Sequence, residues 1–133
     1  MEDLKEKSYE ELISDVDKNA EGLSITKGTK VHGLLLNTAG FEETTGDWVV
    51  AYYKSPDLYQ RMTIMDSLQG ENKTLKGWQL FEKNVIKENS DMKYFDKRDP
   101  KNIPIIMGAA LHTINNSIAF SVNHATDLKK NGE

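Results

Sequence analysis

The sequence predicts an α+β protein: an N-terminal helix, a β-hairpin or small antiparallel sheet, then three helices, the last of them long and uncharged. Three observations predict it. Ser8 and Glu11 form a helix-opening signal ahead of apolar residues at helical spacing. Two strand-like runs, 30–36 (KVHGLLL) and 47–54 (DWVVAYYK), flank a segment rich in Gly, Asn and Thr. Residues 102–126 carry an apolar helical repeat without one charged side chain.

The first helix is expected from Tyr9 to Glu21. Ser8 and Glu11 can each satisfy the other's orphan backbone donor, Leu12, Ile13, Val16 and Ala20 supply a narrow apolar face, and Gly22 offers a stop. Residues 1–22 hold eight acids against three lysines, a local balance of −5. Such a face reads first as solvated surface and second as an acidic arm for a basic partner.

The second predicted strand is apolar on both sides, with Trp48, Val50 and Tyr52 on one and Val49, Ala51 and Tyr53 on the other. Each side needs a cover: helices over one, and a further strand, a loop or a partner over the other. The connection 37–46 (NTAGFEETTG) is longer than a tight turn, and long loops often carry contacts.

Ser55-Pro56-Asp57 reads as a helix start, with Ser55 capping, Pro56 in the first turn and Asp57 complementing the dipole. Leu58, Met62, Met65 and Leu68 form its expected inward stripe, ended by Gly70. A third helix is expected over 74–88 with Leu75, Trp78, Leu80, Phe81 and Val85 inward, followed by a polar connection over 89–101. The last helix opens near Asn102, Pro104 falling within its permissive first turn. Met107, Leu111, Ile114, Ile118, Val122 and Ala125 are its expected core stripe. Asn115, Asn116, Ser117, Asn123 and Thr126 form the opposite face, where a solvated helix would carry Lys and Glu. That small, uncharged face suits packing against another chain. The whole reads as one domain, 1–133, made of an acidic helical arm (1–22), a hairpin (30–54) and a helical part (55–130).

Composition narrows function. Hydrophobic residues at 38% and charged residues at 29% describe a globular chain. A net charge of −4 gives no basic footprint for nucleic acid. The basic excess over 73–101 is interleaved with Asp91, Asp96 and Asp99. The absence of cysteine excludes disulfides, thiolate metal sites and cysteine catalysis, and accords with a cytoplasmic setting. Glu2, Asp3 and Glu6 stand where a secretory signal would be basic and then apolar. The uncharged stretch 102–126 includes Asn115, Asn116, Asn123, His112 and His124, whose desolvation argues against a membrane span.

No nucleophile elbow, zinc-protease, phosphate-loop or dinucleotide motif is present. His112 and His124 lie twelve residues apart on one helix and cannot share a metal within one chain. No catalytic, metal-binding or cofactor-binding residue is therefore expected, and no cofactor. A deep pocket joining His112 to Asn115 or Asn116 would reopen an enzymatic reading. The expected function is protein binding, through Asn115, Asn116, Ile118 and Val122 on the last helix and Trp48 and Tyr52 on the sheet.

The order of parts resembles that of a known family. An aromatic, apolar strand runs into a Ser-Pro-Asp helix start (VVAYYKSPDLYQRM), a second helix ends in polar, Asn-containing sequence (GWQLFEKNVIKENSDM), and an Ala-rich helix (IIMGAALHTINN) leads to an Asp-Leu-Lys-Lys tail. Over roughly residues 30–130 this layout is similar to that of the short tail assembly chaperones of long-tailed phages. The resemblance implies a non-virion helper in the host cytoplasm. Such a helper coats the hydrophobic tape-measure protein until tail-tube subunits replace it, and self-association often hides its apolar surface meanwhile. The family pattern does not account for the acidic N-terminal helix. Competing readings are a structural virion component or oligomeric adaptor, and a small acidic inhibitor of a host enzyme.

Overall fold

Ser8 begins the first helix as expected: its hydroxyl accepts a hydrogen bond from the Glu11 N–H at 3.2 Å. The computed structural model describes residues 8–40, 45–68 and 70–131, with side chains as far as Ile118. Helix α1 spans Tyr9–Lys27, so Gly22 does not stop it. Gly28 does: its φ of 71° takes the left-handed conformation that glycine adopts without a Cβ penalty, and its N–H caps the Ser24 carbonyl. Ser24 holds the extra turn in place, its hydroxyl donating to the Ala20 carbonyl and accepting from the Val31 N–H.

Strands β1 (Val31–Asn37) and β2 (Trp48–Lys54) form a two-stranded antiparallel sheet, with Leu34 opposite Ala51 and Gly33 opposite Tyr52. One face of the sheet is covered by α1, where Val16 and Ala20 pack with Val31, Tyr52 and Ile86. A Cβ on Gly33 would collide with Val16 Cγ1, so this close approach needs glycine. Leu34, Val49, Ala51 and Tyr53 line the other face and pack beneath the later helices. Both covers are helical; neither a further strand nor a partner is needed for either face.

Helix α2 spans Leu58–Ser67 and is capped by Asp57, not Ser55. Asp57 and Gln60 form a reciprocal capping box, while Ser55 accepts from the Arg61 guanidinium at 2.5 Å. The expected inward stripe is also displaced. Ile64 is the buried residue, Leu68 is half-buried, and Leu58, Met62 and Met65 face solvent. Helix α3 (Lys73–Asn84) buries Trp78, Leu80 and Phe81 as expected, but leaves Leu75 exposed. It ends four residues early because Val85 turns extended and bridges Tyr53 on the sheet.

Residues 85–91 then run beside β2 and satisfy its outer edge. Ile86 N–H donates to the Tyr52 carbonyl, and Asp91 N–H to that of Val50. The Ser90 hydroxyl and Asp91 carboxylate accept from the N–H groups of Tyr52 and Val50. Phe95, within the polar connection, drops into the core against Phe81 at a ring separation of 5.0 Å.

Helix α4 (Ile103–Asn131) opens after Asn102, whose buried amide donates to the carbonyls of Lys93 and Asp96. Its buried face matches the expected one only in part. Ile114 points inward as expected and Ile118 packs beside it, but Ile105, Ala109, Ala110, Thr113 and Ser117 are also buried, Ser117 from the face expected to be outward, whereas Met107 and Leu111 are exposed. Close approach explains the choice. Gly77 of α3 sits so near α4 that an added Cβ would stand 2.6 Å from Ile114 Cγ1 and 2.7 Å from the Ala110 carbonyl. The approach therefore needs glycine on α3, opposite Ala110 and Ile114 of α4. Thr113 and Ser117 are buried at little cost because each hydroxyl bonds the carbonyl one turn back, at 2.9 Å. Val122 and Ala125 lie beyond the described side chains. The resulting architecture is α+β, a two-stranded sheet between α1 and the α3–α4 pair, with α2 packed on α3 and α4.

Candidate functional site

The residues expected to form one interaction patch do not share a surface. Tyr52 is 4% exposed beneath α1, its hydroxyl accepting from Asn19 at 3.2 Å, so it cannot meet a partner. Its alternation with Val50 and Trp48 was legible, but the helix that covers them was not. Trp48 is half-buried against the Tyr9 ring at 5.8 Å. Asn115 is exposed on α4, while Ile118 is half-buried against the Ile64–Leu80–Ile114 cluster. Val122 lies outside the described side chains.

Asn116 belongs to a polar network under the opposite face of the sheet. Its amide donates to the Tyr53 hydroxyl at 2.6 Å, and that hydroxyl lies 2.7 Å from His112 Nδ1. The Tyr53 hydroxyl also lies 3.3 Å from the His112 carbonyl, so its proton can go to that oxygen or to Nδ1, and the His112 tautomer follows that choice. His112 and Asn116 are four residues apart, the spacing that puts two side chains on one helix face. The sequence held that signal, but nothing in it located Tyr53.

The His32 ring stacks at 5.3 Å from Tyr53, and its Nε2 is buried without a hydrogen-bond partner. Burial, with Lys30, His112 and Arg61 nearby, holds His32 down to about 4, and burial lowers His112 as well. Burial pushes the Tyr53 phenol up to about 12, against the Asn116 hydrogen bond that favours its ionised form. The network is therefore neutral at pH 7.

His32, His112 and Asn116 line a half-open recess of about 350 Å³, closed by Lys30, Val31 and Gly33 of β1 and by Asp17, Ala20 and Glu21 of α1. This recess joins His112 to Asn116, the arrangement that bears on catalysis. Its neutral imidazoles can exchange hydrogen bonds or a proton with a small polar group. Among the described residues, no three His, Asp or Glu side chains are placed to hold a metal ion. Nor is any helix among them long and apolar enough to cross a membrane.

A second feature lies on α2. Leu58, Met62 and Met65 follow one another by four and three residues and are 67%, 52% and 46% exposed, with Tyr59 beside them at 78%. On α4, Ile103, Met107 and Leu111 recur every four residues and are also exposed. Sequence periodicity found both stripes but assigned Met62, Met65, Met107 and Leu111 to the core. No family model, no curated protein and no solved structure matches this chain, so its function is read from its own residues.

Proposed function

We propose that this chain is a non-enzymatic protein-binding factor whose α2 face holds an apolar segment of a partner. The observation that carries the reading is the solvent-exposed Leu58–Met62–Met65 stripe, on a helix whose one buried side chain is Ile64. Exposed apolar residues scattered singly are ordinary, whereas a helical row of them is the pattern of helix-in-groove recognition. Methionine suits the task because its unbranched, polarizable side chain adapts to varied partner surfaces. The exposed Ile103–Met107–Leu111 row extends the same chemistry to α4.

Within this class the phage tail assembly chaperone is the reading taken, with a tape-measure protein as partner, self-association between encounters and the host cytoplasm as the place of action. Co-expression with a tape-measure segment from the same genome tests it. The segment should stay soluble and co-purify with the chain, and Met62→Lys/Met65→Lys should abolish both effects. Unchanged precipitation would sink the chaperone reading. Recovery of the protein in purified particles would instead make it a virion component.

A further inference from the structure

The sheet has two edges, and the fold treats them differently. Along β2, Val50 and Tyr52 direct their N–H and C=O groups away from β1, where residues 86–91 meet every one of them. Lys30 and Thr38 bond across the hairpin to Ser55 and Asp47, so the even-numbered residues of β1 face β2. In an antiparallel ladder the residues opposite Val50 and Tyr52 must then face outward. Those residues are Leu35 and Gly33. Val31, next in the outward series, already donates to the Ser24 hydroxyl. Among the described residues, nothing meets the outward N–H and C=O groups of Gly33 and Leu35.

This open edge is not flush with the surface. The recess described above opens at its Gly33 end, between the α1 wall of Asp17, Ala20 and Glu21 and the α4 wall of His112 and Asn116. The two buried side-chain polar atoms without a partner among the described residues, His32 Nε2 and Asn37 Nδ2, both belong to β1. Unpaired main-chain donors and acceptors at strand spacing, in a walled channel, are complementary to one thing: the backbone of another extended segment.

We propose that the outer edge of β1 receives an extended segment of a partner polypeptide as a third strand, paired to Gly33 and Leu35 and flanked by α1 and α4. Asp17 and Glu21 on the α1 wall outnumber Lys30 on the strand, so the recess favours a basic residue on the incoming segment, placed toward α1 and away from Lys30. A second copy of this chain fits less well. Antiparallel pairing of two β1 edges would set two α1 helices side by side, each with five acids against two lysines. The proposal rests on the protein-binding reading but uses a surface separate from α2.

The probe is a peptide of about twelve residues selected from a displayed random library on the full-length chain, the length an added strand needs with its flanks. In the free protein the Gly33 and Leu35 amides should exchange with solvent quickly, while Leu34 and Leu36, paired to Ala51 and Val49, exchange slowly. Bound peptide should slow Gly33 and Leu35 selectively. Leu35→Pro removes an outward N–H and spares the hairpin ladder, so it should weaken binding by roughly tenfold or more, with Leu35→Ala as the control that keeps the N–H. If Leu35→Pro does not fold, amide exchange in the wild-type chain decides alone. Failure to select any peptide, a bound peptide that leaves Gly33 and Leu35 exchange unchanged, or protection in the free protein that vanishes on dilution would overturn the proposal, the last in favour of a second copy. Met62→Lys/Met65→Lys should leave peptide binding intact, so the two surfaces fail independently.

Discussion

Two half-buried imidazoles make the protein's stability depend on acid. The folded chain holds His32 down to about 4 and His112 below its ordinary value, whereas an unfolded chain would titrate both near the ordinary 6.5. Between those limits the unfolded state binds protons that the folded state refuses, so their contribution is full above 6.5 and is lost as pH falls toward about 4. Thermal melting should therefore show a midpoint that drops through this window. In His32→Gln/His112→Gln the drop should be shallower; an identical pH profile would show that neither imidazole is buried neutral. Tyr53 allows a sharper test. Removing its hydroxyl takes the 2.6 Å partner from the Asn116 amide and leaves it the 3.2 Å contact with His112 Nδ1, which should cost about 1 kcal/mol in denaturant unfolding. Tyr59→Phe, on an exposed ring, should cost almost nothing.

Helix ends and helix faces follow from close approach more than from hydrophobicity. Gly22 lies inside α1 with nothing within 4 Å of an added Cβ. Gly22→Ala should therefore stabilise the protein by roughly 0.5–1 kcal/mol, the usual gain in a helix interior. Gly77→Ala should do the reverse, costing about 1–3 kcal/mol by pushing α3 off α4. Equal effects at the two glycines, measured by urea unfolding, would contradict the packing described. The same contrast explains how much was legible in the sequence. Helix α1's start, both strands and the four α-helices followed from caps and periodicity, whereas the short 3-10 turns at 87–89, 92–95 and 100–102 did not. Which face of α4 is buried followed only in part: Met107 and Leu111 outrank Ala109 and Ala110 in hydrophobicity, while the residues that meet Gly77 are Ala110 and Ile114. The α2 face failed for a related reason: Leu58, Met62 and Met65 define a stripe, and a stripe does not say whether the core or a partner meets it. The His32–Tyr53–His112–Asn116 network joins three elements, and only the His112–Asn116 step within α4 could be read locally.

At the scale of the molecule, the fold closes its core around the sheet and yet leaves apolar helix faces in water. The aromatic cluster of Tyr53, Trp78, Phe81 and Phe95 and the α1 contacts are complete without Leu58, Met62 or Met65. Association is the use proposed for this exposed row, which contributes nothing to the core. Photo-crosslinking locates that association most directly. A photoreactive phenylalanine analogue is placed at Met62, or as a control at the exposed Lys87, in cells co-expressing the full chain and a tape-measure segment. The account predicts a crosslink to the segment, or to a second copy of the chain, from position 62 and none from position 87. No crosslink from position 62, or equal crosslinking from both, would contradict it.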